Sequence, residues 1–315
     1  MKKWSIEAIS SLNTKTILMT GGTSGEGLEA ARVLCTHGAR LVLCSDDIFQ
    51  AERAVNIIHL SCPEANVHYE HVDLGDLNSV IEFSERFTRN YGSLDVLINN
   101  AEIKHQNGKM LSVQGHELMW TYNYLSHFVL TAKLFNLLGQ AQEGRIIFQS
   151  HLNHQTQNLD LFDLESEYYY RPRKAFGQSK LALLIFSREL DRRMRAIHLN
   201  VKSIPIHLGG GTLTMLSNFF HLNFSHHKLQ ASVPMLYAAT ADEATSGHYY
   251  GPPNIYEVWG MPSEKDFATQ AKNLQVAEEL WNLTEEMTGV EFKLLDLTNV
   301  VKFRKKQTSL DEFFT

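Results

Sequence analysis

The chain has 315 residues, 43% of them hydrophobic and 20% charged, the make-up of an ordinary globular protein long enough to bury one large core. A formal net charge of −6 gives no basic field for nucleic acid or an anionic membrane, so either would have to be reached through a partner. Cys35, Cys44 and Cys62 are too few and too irregular for a disulfide framework or a zinc site, and read as inert thiols of an intracellular protein. The first nine residues carry two lysines but no apolar stretch of signal-peptide length, and no run approaches the roughly 18–20 apolar residues of a membrane span. The expectation is a soluble, unsecreted, cytoplasmic protein.

Thr16–Thr20 is a short apolar run that enters a glycine-rich turn at Gly21–Gly27. A helical pattern follows through Leu28, Ala31 and Leu34 to a stop at Gly38, and Arg40–Cys44 is a second buried strand with acids after it. This is one βαβ unit. The rhythm continues with a helix at about 49–60, a strand at 67–72, a helix at 79–91 and a strand at 94–98. A long helix at about 123–138, a strand at 145–148, a helix at 175–194 and a strand at 199–204 complete it. Strands alternating with helices of this length imply an α/β protein with a doubly wound parallel sheet covered on both faces. No repeat or low-complexity linker interrupts it, so residues 1–292 read as one domain and 293–315 as a charged appendage. The aromatic and histidine-rich stretch Asn218–Lys228 reads as a lid over the sheet's C-terminal edge.

Between strand and helix, Gly21, Ser24, Gly25 and Gly27 let backbone approach a pyrophosphate at a helix N-terminus. The spacing Thr20-Gly21-x-x-x-Gly25-x-Gly27 resembles the short-chain dehydrogenase/reductase family, which has the Rossmann fold. Asp73-Leu74 is similar to that family's adenine-side aspartate, Asn99-Asn100-Ala101 to its Asn-Asn-Ala-Gly, Asn123 to its structural and proton-relay asparagine, and Lys180 to its active-site lysine. The C-terminal pattern Leu236-Tyr-Ala-Ala-Thr, Gly247-His-Tyr-Tyr-Gly-Pro252 and Leu280–Gly289 resembles the retinol-dehydrogenase-like branch. The resemblance covers residues 1–292. It implies a cofactor held by Gly21, Ser24, Gly25, Gly27, Asp46, Asp73, Asn100, Ala101 and Lys180, and homo-oligomers packed through the helices at 123–138 and 176–194.

The family moves a hydride between a nicotinamide and an alcohol or carbonyl carbon; a tyrosine carries the proton, with a lysine one helical turn later and a serine on the substrate oxygen. Here the tyrosine position is Phe176, with the same ring and no proton to give. Tyr168, Tyr169 and Tyr170 precede the helix and cannot share the Lys180 face. His151 takes the serine position, either to polarise a carbonyl or to fill a vacated pocket, and Ser150, one residue away on a strand, should aim elsewhere. Glu26 replaces an apolar residue at the pyrophosphate turn, Glu102 replaces the glycine of Asn-Asn-Ala-Gly beside the nicotinamide ribose, and Leu208 replaces a turn proline. Asp46 either accepts from a ribose hydroxyl, which favours NAD(H) over NADP(H), or joins Asp47 in capping the next helix. A chain so altered at its site could also bind no cofactor. Of the 15 histidines, His151 with His154 and His226 with His227 lack a third ligand at suitable spacing, so no metal is expected.

The tail holds Gln307, Leu310, Phe313 and Phe314, which resembles the PCNA-interacting peptide that binds the DNA sliding clamp. In one helical turn Leu310, Phe313 and Phe314 form an apolar plug, Gln307 can hydrogen-bond beside it, and Arg304, Lys305 and Lys306 suit an acidic partner. A tail folded back onto its own sheet or a second subunit is the alternative; a working clamp motif would place the protein in the nucleus. Three functions follow. One is a scaffold that has lost its chemistry; the second is an active NAD(P)-dependent oxidoreductase on an apolar, retinoid- or steroid-like alcohol or aldehyde; the third is a sensor of NAD(H).

Overall fold

The computed structural model describes residues 4–104, 106, 108–208, 224–253 and 261–294. The strands β1 (Thr16–Thr20), β2 (Arg40–Ser45), β3 (Val67–His71), β4 (Val96–Asn99), β5 (Gly144–Ser150), β6 (Val201–His207), β7 (Tyr249–Gly251) and β8 (Ser263–Lys265) form one sheet in the order 3-2-1-4-5-6-7-8. All neighbours run parallel except β7 and β8. Seven long helices cover it: α1 (Gly25–Thr36), α2 (Ile48–Ser61), α3 (Leu77–Tyr91), α4 (Ser126–Gln140), α5 (Pro172–Ala196), α6 (Phe224–Thr240) and α7 (Leu274–Thr288).

The local reasons are visible in the residues. Every residue of β1, β4 and β5 is buried, as central strands covered on both faces require. In α3, Leu77, Val80, Phe83 and Phe87 share one stripe, Asp76 caps the start through the Asn78 N–H, and Gly92 ends it at φ 68°. One core lies under α3, α4, α5 and α7, and a second under α1, α2 and α6. The order of the sheet reverses between β1 and β4, which opens a crevice above their C-terminal ends, where nucleotides bind in sheets of this type.

The expected doubly wound, single-domain Rossmann sheet is what the chain forms, and three expectations change. The sheet has eight strands, because the short β7 and β8 add an edge that six-strand reading overlooked. The helix expected from Asn123 is regular only from Ser126; Thr121–Leu125 form a π turn. Of the expected lid, Phe224–Lys228 open the helix α6, and 218–223 lie outside the described residues. So do Gly209–Gly211 and the tail from 295, with Gln307, Leu310, Phe313 and Phe314. Among the described residues no helix is long and apolar enough to cross a membrane, and no three His, Cys, Asp or Glu side chains group as a metal site.

Candidate functional site

The glycine turn joins β1 to α1 under tight packing. A Cβ on Gly27 would collide with the carbonyl oxygen of Gly21, so only glycine lets α1 start this close to the strand. Gly25 adopts φ +57° with open space on its Cβ side, where a ligand can approach. The Thr20 hydroxyl accepts from the N–H groups of Asn100 (2.9 Å) and Ala101 (3.0 Å), and the Asn100 amide donates to Gly21 O (2.8 Å). These bonds pin the end of β4 to the end of β1.

A cleft of about 160 Å³ opens above this turn. Gly21, Ser24, Asp46, Ala101 and Glu102 line it. Asp47, not Asp46, caps α2, accepting from the Gln50 N–H at 2.9 Å. Asp73 is not among the lining residues, although its neighbours Val72 and Leu74 are; its carboxylate accepts from Gly75 N–H at 2.7 Å. Sequence reasoning missed Cys44, Gln50 and Tyr122. Gln50 accepts from the Thr23 hydroxyl at 2.5 Å, tying α2 to the glycine turn. Burial, with the charges of Asp46 and Asp73, pushes the Tyr122 phenol up to about 12, so it stays a hydrogen-bond donor facing this end of the cleft. No signal in the spacing marks Tyr122: the π turn that sets its direction has no sequence rule.

On the far side stands Lys180, fully buried on α5. Its ammonium lies 2.7 Å from Glu102 Oε2 and donates to the Gln149 carbonyl and side-chain oxygens, each at 3.1 Å. The contact with Glu102 is an ion pair, and the two hydrogen bonds of the ammonium both go to Gln149. Glu102 is also paired with Lys104 at 2.7 Å. Burial alone would raise the Glu102 carboxyl, but Lys180 and Lys104 outweigh it and hold the group at about 2. Burial lowers Lys180, against the opposing pull of Glu102. Lys104 also feels the charge of Glu26.

Phe176 sits one turn before Lys180, its ring 5.8 Å from the ammonium and only 3% exposed. It packs edge-on against His151 at 5.2 Å and lies with Met119, Ala175, Ile103 and Tyr170. Burial pushes His151 down to about 4, so it is neutral at physiological pH. Ser150 is aimed away, donating to the carbonyl of Lys180. Asn123 is fully buried: its side-chain oxygen accepts from Ile103 N–H (2.8 Å), and its amide donates to Ile103 O (3.0 Å) and Ser179 Oγ (3.1 Å). This asparagine therefore holds the segment after β4 against α5. Tyr168 and Tyr169 are largely exposed, and the Tyr170 hydroxyl donates to Gln106 and Glu117. None of the three is held at Lys180.

Residues 15–160 match the short chain dehydrogenase family. Mouse retinol dehydrogenase 12 is 30% identical over 292 residues, spanning 89% of this chain and 88% of that protein. A crystal structure of an uncharacterised protein from Mycobacterium paratuberculosis superposes with a TM-score of 0.79 at 30% identity, over 92% of this chain and 99% of the other. A metagenomic short-chain oxidoreductase in complex with NADP, 21% identical, shares the fold at a TM-score of 0.58 over 81% of this chain and all of its own. The chain belongs to the short-chain dehydrogenase/reductase family, whose members bind NAD(P), and its relatives include the retinol dehydrogenases.

The family's cofactor fits this chain in one half. The turn at Gly21–Gly27, the cleft and Asp46 suit an adenosine and its phosphates. The other half does not fit as it stands, because the Lys180 ammonium is already held by Glu102 and Gln149.

Proposed function

We propose that this protein is a short-chain dehydrogenase/reductase without normal dehydrogenase turnover, acting as a nucleotide-binding or protein-interaction scaffold. The observation that carries the reading is Lys180: its partners are Glu102 and Gln149, and the residue one turn before it, Phe176, has no hydroxyl. A bound nicotinamide would supply hydride chemistry; the chain must supply the proton and hold the substrate oxygen. General acid catalysis contributes ~10²–10⁴-fold, so losing the phenol together with the serine leaves little rate. The test is reduction of retinoid and long-chain aldehydes with NADH or NADPH, and the reverse oxidation. No turnover above background is expected from the wild type, with a gain in Phe176→Tyr/Glu102→Gly. Wild-type turnover at an ordinary enzymatic rate overturns the reading.

Of the two dinucleotides, NAD(H) suits the cleft better. Asp46 lines it, and a carboxylate there accepts from a ribose hydroxyl but repels a 2′-phosphate.

The second reading, an active oxidoreductase on an apolar alcohol or aldehyde, draws support from the retinol dehydrogenase names of its relatives. Its acid would be water or His151. That reading requires His151→Ala to lower a measurable rate.

The scaffold reading gives residues 293–315 a purpose as a tether distinct from the domain at 1–292. Gln307, Leu310, Phe313 and Phe314 carry the pattern of a sliding-clamp peptide. Peptide 303–315 should bind a sliding clamp in calorimetry, and the Phe313→Ala/Phe314→Ala peptide should not. Equal binding by both removes the clamp from the proposal.

A further inference from the structure

We propose that the cleft above the glycine turn is a half-site: it takes an adenine nucleoside diphosphate and turns away the second nucleoside of a dinucleotide, because Glu102 occupies the contact with Lys180 that the second half would need. The proposal rests on the reading that this chain has given up turnover, and goes beyond it by naming the ligand class.

A dinucleotide spans the crevice where strand order reverses, one mononucleotide on each side with the pyrophosphate at the helix N-terminus. On the β2 and β3 side the chain provides Asp46, Tyr122 and the apolar Val72 and Leu74 in a cleft that Glu102 also lines. Gly25, with open space on its Cβ side, leaves room for phosphate at α1. On the β4 and β5 side stands a carboxylate inserted between two lysines, 2.7 Å from each. A ribose reaching Lys180 would have to displace Glu102 and leave a buried ammonium and a carboxylate without each other, which is costly in a low-dielectric site. The adenosine side makes no demand on that pair. A second nucleoside therefore adds contacts and removes an ion pair, with little net gain in affinity.

The experiment is calorimetric titration of the full chain with ADP and with NADH, on the wild type and on Glu102→Gly. The wild type should bind ADP, and NADH should be tighter by no more than about threefold. Glu102→Gly should improve NADH relative to ADP by about tenfold or more. Absence of ADP binding, a wild-type preference for NADH beyond about threefold, or a smaller change in the variant overturns the half-site. If Glu102→Gly does not fold, as its melting curve will show, Glu102→Ala replaces it, and the wild-type comparison alone still decides. Turnover is a separate readout. An inactive wild type that prefers NADH defeats only the half-site, whereas an active wild type defeats the parent reading.

Discussion

Glu102, just after β4, and Lys180, on α5, meet at 2.7 Å, with Lys180 fully buried and the Glu102 side chain 12% exposed. Their surroundings are unequal, and that sets a prediction. Glu102 keeps a second cation in Lys104 when Lys180 is removed, whereas Lys180 without Glu102 keeps only the oxygens of Gln149. Glu102→Leu should therefore cost about 3–5 kcal/mol in urea unfolding, the range for stranding a buried charge. Lys180→Met should cost less, and the double variant less than the sum of the two. Additive costs would mean that the two residues are not coupled.

The histidines set the pH dependence. Burial pushes His127 and His151 down to about 4 and His207 to about 3, well below the 6.5 of an exposed imidazole. Between about pH 6.5 and 4 the unfolded chain binds up to about three more protons than the folded one, so stability rises with pH there and is lost as pH falls. Each such proton corresponds to about 1.4 kcal/mol per pH unit, giving a slope of up to about 4. Glu102, held at about 2, acts in the same sense below its ordinary 4.5. Urea unfolding at pH 7, 6 and 5 should show this loss, and His127→Gln should reduce the slope by about one proton. A flat profile would place these rings in exchange with water.

Much of this site was legible in the chain. The glycine turn declares itself by spacing between a strand and a helix, and Phe176 by its place one turn before Lys180. Ser150 follows from strand alternation, and it does turn away. Glu102 was visible as a foreign carboxylate, but its grip on Lys180 was not, because only the folded sheet brings the end of β4 to α5. The π turn that carries Tyr122 and Asn123, and the short edge strands β7 and β8, have no periodic signature long enough to read. Asp46 and Asp47 are interchangeable on paper; the direction of the backbone after β2 gives one the helix cap and the other the cleft.

Tyr170 is the phenol nearest in sequence to Phe176, and its hydrogen bonds hold it elsewhere. Its hydroxyl is 3.1 Å from Gln106 Oε1 and 3.3 Å from Glu117 Oε1, and burial together with Glu117 pushes its pKa up. Glu117 in turn accepts from the N–H groups of Met119 and Trp120. Tyr170→Phe should lower stability by about 1.5–3 kcal/mol, the worth of a hydrogen bond to a charged group. It should leave ADP affinity unchanged, and in the Phe176→Tyr/Glu102→Gly background it should not reduce any activity gained. A loss of that activity would assign Tyr170 the proton.

Gly25 and Gly27 separate packing from conformation in the turn. Gly27 has no room, since a methyl group there meets the Gly21 carbonyl; Gly25 has room but sits at φ +57°. Gly27→Ala must push α1 away from β1, an overpacking cost of about 1–3 kcal/mol, and the shift also moves the α1 N-terminus that a phosphate would use. Gly25→Ala incurs only the left-handed backbone strain of about 1–2 kcal/mol, yet its new methyl points into the space where a ligand approaches. Both variants should weaken ADP in calorimetry, and Gly27→Ala should also lower the melting temperature more. If ADP binds Gly25→Ala as it binds the wild type, the nucleotide does not pass over this turn.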